Sequence, residues 1–319
     1  MSCKRDSNRN HVSSLFRTLK CDKTDPLLYL SARVGVLSAA LPSWEELMRR
    51  PERQDALPLR EDAQTGALLE SLARGAGRPI VDLFRFPFDC HNAKVLLKGA
   101  LTRQGAAARE LLSPCGSVPE ETMREALREE SGAKALPAWL RLGIAEARHA
   151  WTESRSPQLL DAALDRALYR GMSESALYSG SAAAQEYVRV RIDGVNLQTM
   201  LRMQEHAPEA VEELLLEGGT VCVARLLEAH AGGALAAVFT AAPLRAAAEQ
   251  HSVLQAGEAA AAALAQFARR CSAYAFGPEA LLAFLLRLEL RRRGVRMSAA
   301  LRKVLPAEEV KKRLEVYDG

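Results

Sequence analysis

Aromatic side chains are scarce in this chain, at 5% of its 319 residues. Outside Val188-Arg-Val-Arg-Ile192, no run alternates apolar and polar residues over the length of a strand. Sheets favour aromatic and β-branched residues, so their shortage, beside abundant Ala and Leu, points to an all-α fold. No Cys-x-x-Cys pair occurs; six cysteines lie scattered at 3, 21, 90, 115, 222 and 271, which reads as reduced thiols. The longest stretch without ionisable side chains, Ala231 to Leu244, contains two glycines and a proline and is too short to span a bilayer. Met1 to Asn10 is polar and lacks the apolar segment of a signal peptide. A soluble chain is therefore expected, still able to lie against a membrane protein without inserting. A formal charge of +4 is far below that of a typical nucleic-acid-binding surface.

The motifs of catalysis are missing too. There is no Gly-x-x-x-x-Gly-Lys-Ser/Thr loop for nucleotide phosphates, no His-Glu-x-x-His and no Gly-x-Ser-x-Gly. Glu146-Ala-Arg-His149 is a lone half of a di-iron pattern that needs two such pairs and two more glutamates. Cys90 and His91 are neighbours, so on a helix they point about 100° apart. Neither a cofactor nor a metal is expected.

What the chain does contain is apolar spacing of helical period. Residues 1–26 read as a polar, flexible arm and 27–319 as the folded part. Helices are expected over 27–40, from the capping box Ser43-x-x-Glu46, and over 67–73, with a charged, proline-bearing loop at 51–62. Pro87 ends any helix before it, and Asp89 then serves as N-cap of a helix carrying Val95, Leu96, Leu97, Ala100 and Leu101. A second capping box, Ser117-Val-Pro-Glu120, starts a charged helix. Further helices are expected over 136–151, 159–172, 181–205 (interrupted near Asp193), 221–230, 234–239, 244–254, 259–271, 280–293 and 307–314.

One arrangement occurs twice. Asp89-x-x-Asn92-x-Lys94-x-Leu96-Leu97-Lys98 returns as Asp193-x-x-Asn196-x-Gln198-x-Met200-Leu201-Arg202, 104 residues later. A glycine follows each asparagine at matching distance, Gly116 and Gly219. A worn third copy ends at Arg291, Arg292, Gly294 and Arg296, with Gly294 in the asparagine's place. Copies near a hundred residues long are too large for a solenoid and imply three similar subdomains, here 27–135, 136–235 and 236–319. The Asp and Asn read as architecture, capping helices and bonding buried backbone, or as wall residues facing a partner. Lys94 and Lys98 share one helix face and are open to either role. From Arg287 to Arg313 stand ten bases against three acids, a solvated face or a contact for an acidic partner.

At these residues the chain resembles the C subunit of vacuolar/archaeal-type rotary ATPases, known as the d subunit in eukaryotes. Phe86 to Lys98 is similar to the family's Phe-x-Phe-Asp-x-His-Asn-x-Lys-x-Leu-Leu-Lys segment. Asp193 to Arg202, Leu285 to Arg296 and Tyr29 to Val34 are similar to its weaker signatures. Gly294 and Gln198 depart from the family's asparagine and lysine. The resemblance implies a funnel of three helical subdomains that performs no chemistry. It would sit as a socket between the central-stalk subunits (D and F type) and the membrane proteolipid rotor ring, carrying torque at the cytoplasmic face. The alternative is a free-standing helical scaffold of the same descent. A helical enzyme would require a deep polar pocket with convergent ionisable groups.

Overall fold

A computed structural model describes residues 26–40, 57–75, 77–102, 109–128 and 132–314. Among them are fourteen α-helices, two 3₁₀ turns and no strand. In chain order the helices are α1 (Pro26–Ala40), α2 (Leu57–Leu72), α3 (Arg78–Leu101), α4 (Glu120–Arg128), α5 (Ala138–Ser154), α6 (Pro157–Tyr178) and α7 (Ala182–Arg202). There follow α8 (Pro208–Glu212), α9 (Val223–Ala231), α10 (Leu235–Val238), α11 (Ala242–Glu249), α12 (Val253–Cys271), α13 (Pro278–Leu301) and α14 (Ala307–Leu314). The capping box at Ser43 and nearly all of the N-terminal arm lie outside the described residues.

Several local expectations are corrected. α3 runs straight through Pro87, so Asp89 lies in mid-helix and caps nothing in its own helix. A proline there costs about 3 kcal/mol. The buried side chains on both sides of it, Ile80, Val81, Leu83, Phe84 and Phe86 before and Cys90, Ala93, Leu96 and Leu97 after, offset that cost. Likewise α7 is continuous through Asp193, and 188–192 is helix, not strand. α2 begins at Leu57 inside the expected loop. The expected helix over 244–254 breaks at Gln250–Ser252. The working N-caps are Ser156, Ser181 and Ser252, whose hydroxyls accept the N–H of Leu159, Ala184 and Gln255.

Three helices form the centre. Lys94 faces Asp165 and Lys98 faces Asp161, so α3 and α6 run antiparallel. Glu186 meets Arg270 while Gly194 lies against Ala260, so α7 and α12 do too. Gly77 approaches Leu281 and Phe88 approaches Arg292, both 204 residues on, so α3 and α13 are parallel. The short turns after α6 and α12 then leave α3, α7 and α13 pointing the same way. α3 and the first half of α13 are buried around most of their circumference, and the rest of α13 carries a run of arginines. Five aromatics meet here: Phe84 stacks on Tyr187 at 5.0 Å, Tyr187 tilts against Phe267 at 6.4 Å, and Phe86 meets Trp139 at 5.0 Å. A large apolar cluster joins α1–α7 with parts of α12 and α13. A second lies between the end of α7 and α8–α12, and a third under α14.

Cys90, Cys115 and Cys271 are buried and Cys222 is exposed; all four are free thiols. Burial pushes the Cys90 and Cys115 thiols up, and Cys271 up to about 11. Among these four, iodoacetamide on the native protein should modify Cys222 and spare the others, as read by peptide mass spectrometry. Prompt labelling of Cys90 would contradict the packing of α3 on α6.

Candidate functional site

The repeated motif builds two latches of one design. Asp89 is fully buried on α3. Its Oδ1 accepts the backbone N–H of Ser117 (2.7 Å) and of Val118 (2.9 Å), and its Oδ2 accepts the Ser117 hydroxyl (2.5 Å). One turn later, Asn92 Oδ1 accepts the Ser113 N–H at 2.8 Å while its Nδ2 donates to the Ser113 carbonyl at 2.9 Å. On α7, Asp193 Oδ1 accepts the N–H of Thr220 (2.9 Å) and of Val221 (3.4 Å), and Oδ2 accepts the Thr220 hydroxyl. Asn196 exchanges both bonds with Leu216, each at 2.8 Å.

The residue types follow from the task. A carboxylate only accepts, so it suits a turn of successive N–H groups. An amide both donates and accepts, so it can satisfy both polar groups of one backbone residue. A spacing of three puts the two side chains on one helix face. The aspartates therefore do cap, but they cap the segment that returns some 28 residues later. Ser117 lies outside α4, and its hydroxyl is given to Asp89. Glycine is required at the turn: a Cβ on Gly116 would stand 2.5 Å from Asp89 Oδ1, and one on Gly219 would clash with Asp193 Oδ1 in the same way. Arg85 adds a bond to the Gly116 carbonyl at 2.8 Å in the first copy.

Burial raises the Asp89 carboxyl to about 6, against the opposing pull of its bonds from Ser117 and Val118 and of the Arg85 charge. Burial also raises Asp193. From pH 3.8 to about 6, folded Asp89 keeps a proton that the unfolded chain has released. Its contribution to stability therefore falls as pH rises through that window and is constant above it. We expect the stability difference between native and Asp89→Asn protein to fall by up to about 3 kcal/mol between pH 4 and 6.5. Urea unfolding at a series of pH values measures this; a difference that rises with pH would overturn it.

The other expected site residues are committed within the chain, with one exception. Lys94 bonds Asp165 at 2.7 Å and Lys98 bonds Asp161 at 2.6 Å, two rungs between α3 and α6. These pairs are partly exposed and contribute under about 1 kcal/mol each. Arg291 reaches Glu61 at 3.3 Å, while Arg292 (2.5 Å) and Arg296 both hold Asp62. Three bases of the 287–313 run thus pin α2 to α13. Arg202 is exposed at the end of α7.

Sequence reasoning missed the centre itself. Carrying the repeat register through, Pro87, Arg191 and Glu289 are equivalent positions on α3, α7 and α13, and all three line one cavity. Arg191 Nη1 lies 2.7 and 2.8 Å from the two Glu289 oxygens and 2.9 Å from the Tyr187 hydroxyl. Both side chains are nearly buried, at 9% and 14% exposure. Arg191 and Arg293 hold Glu289 below the usual carboxylate range against the opposing effect of burial. The available signal was equivalence: both residues sit two positions before a motif landmark, Asp193 and Arg291.

The reactive side chains singled out in the sequence are not brought together among the described residues. Cys90 Sγ points to the Leu164 carbonyl, whereas His91 Nε2 meets the Leu111 carbonyl at 2.9 Å. Glu146 is paired with Arg170 at 2.6 Å, and His149 is exposed. Among the described residues no three His, Cys, Asp or Glu side chains are grouped to hold a metal ion, and no helix is long and apolar enough to cross a membrane.

A sequence profile of the ATP synthase (C/AC39) subunit family matches residues 57–297. Two proteins named as the C subunit of V-type ATP synthase, from two strains of Thermus thermophilus, are each 28% identical over 183 residues. The alignment takes in 54% of this chain and 55% of theirs, so the chain spans about half the length of the curated relatives it matches.

Proposed function

This chain belongs to the ATP synthase (C/AC39) subunit family, and on that premise we propose that it is a non-catalytic coupling subunit of a vacuolar/archaeal-type rotary ATPase. In this reading it joins central-stalk subunits of D and F type to the membrane proteolipid ring, from the cytoplasmic face and without inserting. The family match over 57–297 carries the proposal. The architecture supports it. Torque is transmitted only by a part that does not yield, and two buried latches, a buried ion pair and the α2–α13 bridges tie distant segments of this chain together. Duplication into three subdomains accounts for the two latches and the equivalent central positions.

The test is recovery of the tagged chain from detergent-solubilised membranes of a host that holds the whole complex. Stalk and ring subunits should come with it, and the chain alone should not hydrolyse ATP. If neither set of subunits is recovered, the coupling role fails and a free-standing scaffold takes its place.

A further inference from the structure

A cavity of about 700 Å³ opens between α2, α3, α13, Arg191 of α7 and the segment 110–114, within the size range of small-molecule sites. Its wall is graded in one direction on three helices. On α13 it runs from Leu285 and Leu288 to Arg292, Arg293 and Arg296. On α3 it runs from Phe84 through Phe88 to His91, and on α2 from Leu69 to Asp62. One end is therefore hydrocarbon and aromatic and the other polar and cationic, with the Arg191–Glu289 pair in the wall between them; Leu285 and Arg296 lie about 16 Å apart along α13 at 1.5 Å per residue.

The cationic end has bonding capacity left over. Asp62 is answered by both Arg292 and Arg296, and Glu289 by both Arg191 and Arg293. Four guanidinium groups thus meet two carboxylates, with Glu110 exposed at the rim. Arg292 is fixed by lying 4.4 Å over the Phe88 ring. Arg293 and Arg296 are 41% and 51% exposed, and each makes one ion-pair contact from a group with five N–H donors. Those unspent donors suit an oxyanion, which they can grip with charge-assisted bonds.

We propose that this cavity binds a single-chain amphiphile with an oxyanion head, its alkyl chain along Phe84, Leu285 and Leu288 and its head at Arg293 and Arg296. The proposal is independent of the coupling role: failure to recover stalk or ring subunits would leave it standing.

Calorimetric titration of the full chain with dodecanoate and dodecyl phosphate below their micelle concentrations, and with dodecanol below its solubility limit, tests it. At least one of the two anions should bind with one-to-one stoichiometry, and the tighter of them identifies the head as carboxylate or phosphate. Arg293→Ala, at a half-exposed position, should weaken that binding about tenfold and Arg293→Lys should restore part of it. Leu288→Gln, with folding checked by circular dichroism, should weaken it from the apolar end. Three results overturn the proposal: neither anion binds, dodecanol binds as tightly, or Arg293→Ala changes nothing. The second would make the cavity a socket for an apolar segment of a partner protein.

Discussion

Replacing Arg191 with methionine should cost about 3–5 kcal/mol, because it leaves Glu289 buried without its main partner. The pair sits where α7 meets α13, with the Tyr187 hydroxyl bonded to the same guanidinium. Arg293 lies 3.2 Å from Glu289 and offsets part of the loss, which places the effect toward the lower end. Two further measurements separate an orphaned charge from a mere loss of packing. The double variant Arg191→Met, Glu289→Met removes both charges and should recover most of the stability, since hydrophobic replacement of a buried pair is often neutral. The single variant's deficit should also shrink under acid. In the native protein Glu289 is held low, so its stabilisation is present at neutral pH and is lost as pH falls through that lowered value. Without Arg191 the carboxyl takes up a proton sooner, and the variant then loses less than the native protein does. Urea titration at pH 7 and near pH 4 reads both effects. A double variant no more stable than the single would refute the view that the charge is the cause.

The helical class was legible from what the chain lacks, and the aromatic shortage proved informative twice. It argued against sheets, and five of the aromatics, Phe84, Phe86, Trp139, Tyr187 and Phe267, meet around the central helices. The repeat was legible as well, down to the glycine that follows each asparagine. What the spacing could not reveal was the partner of each side chain. Asp89 after a proline satisfies every local rule for an N-cap, yet the rule is local and the proline is not decisive. Apolar burial on both sides of Pro87 carries the helix through, and the carboxylate then serves a turn far along the chain. The same limit hid Arg191–Glu289, two charges 98 residues apart on separate helices. Each alone looks like an ordinary polar position, and only the register of the repeat relates them. Lys94 and Lys98 were recognised as sharing a face, but the face is covered by Asp161 and Asp165, themselves one turn apart on α6. A helix face can be read from one sequence segment; what covers it belongs to another.

Removing the carboxylate of either latch should open its own turn and leave the other closed. Asp89→Ala leaves the N–H groups of Ser117 and Val118 without their acceptor, at about 1–3 kcal/mol per buried orphan. Water reaching the turn would lower that sum, as would relief from holding a charge at a buried site, so a net loss of about 3 kcal/mol is expected. Hydrogen exchange at single amides makes the claim specific. In Asp89→Ala, protection should collapse at Ser117 and Val118 while Thr220 and Val221 keep theirs; Asp193→Ala should give the reverse. Gly116→Ala approaches the same point from the other side. It keeps the carboxylate but drives a methyl group onto Oδ1, so it should reproduce the exchange pattern of Asp89→Ala. Asp89→Asn is the control, since it keeps one acceptor oxygen and should retain most of the protection. If Asp89→Ala loosened both turns equally, the latches would not be independent units and the duplication would be one of sequence alone. If Gly116→Ala were silent, the close approach of turn and carboxylate would be wrong. A local collapse in each case would mean that each copy of the motif closes its own turn, independently of the other.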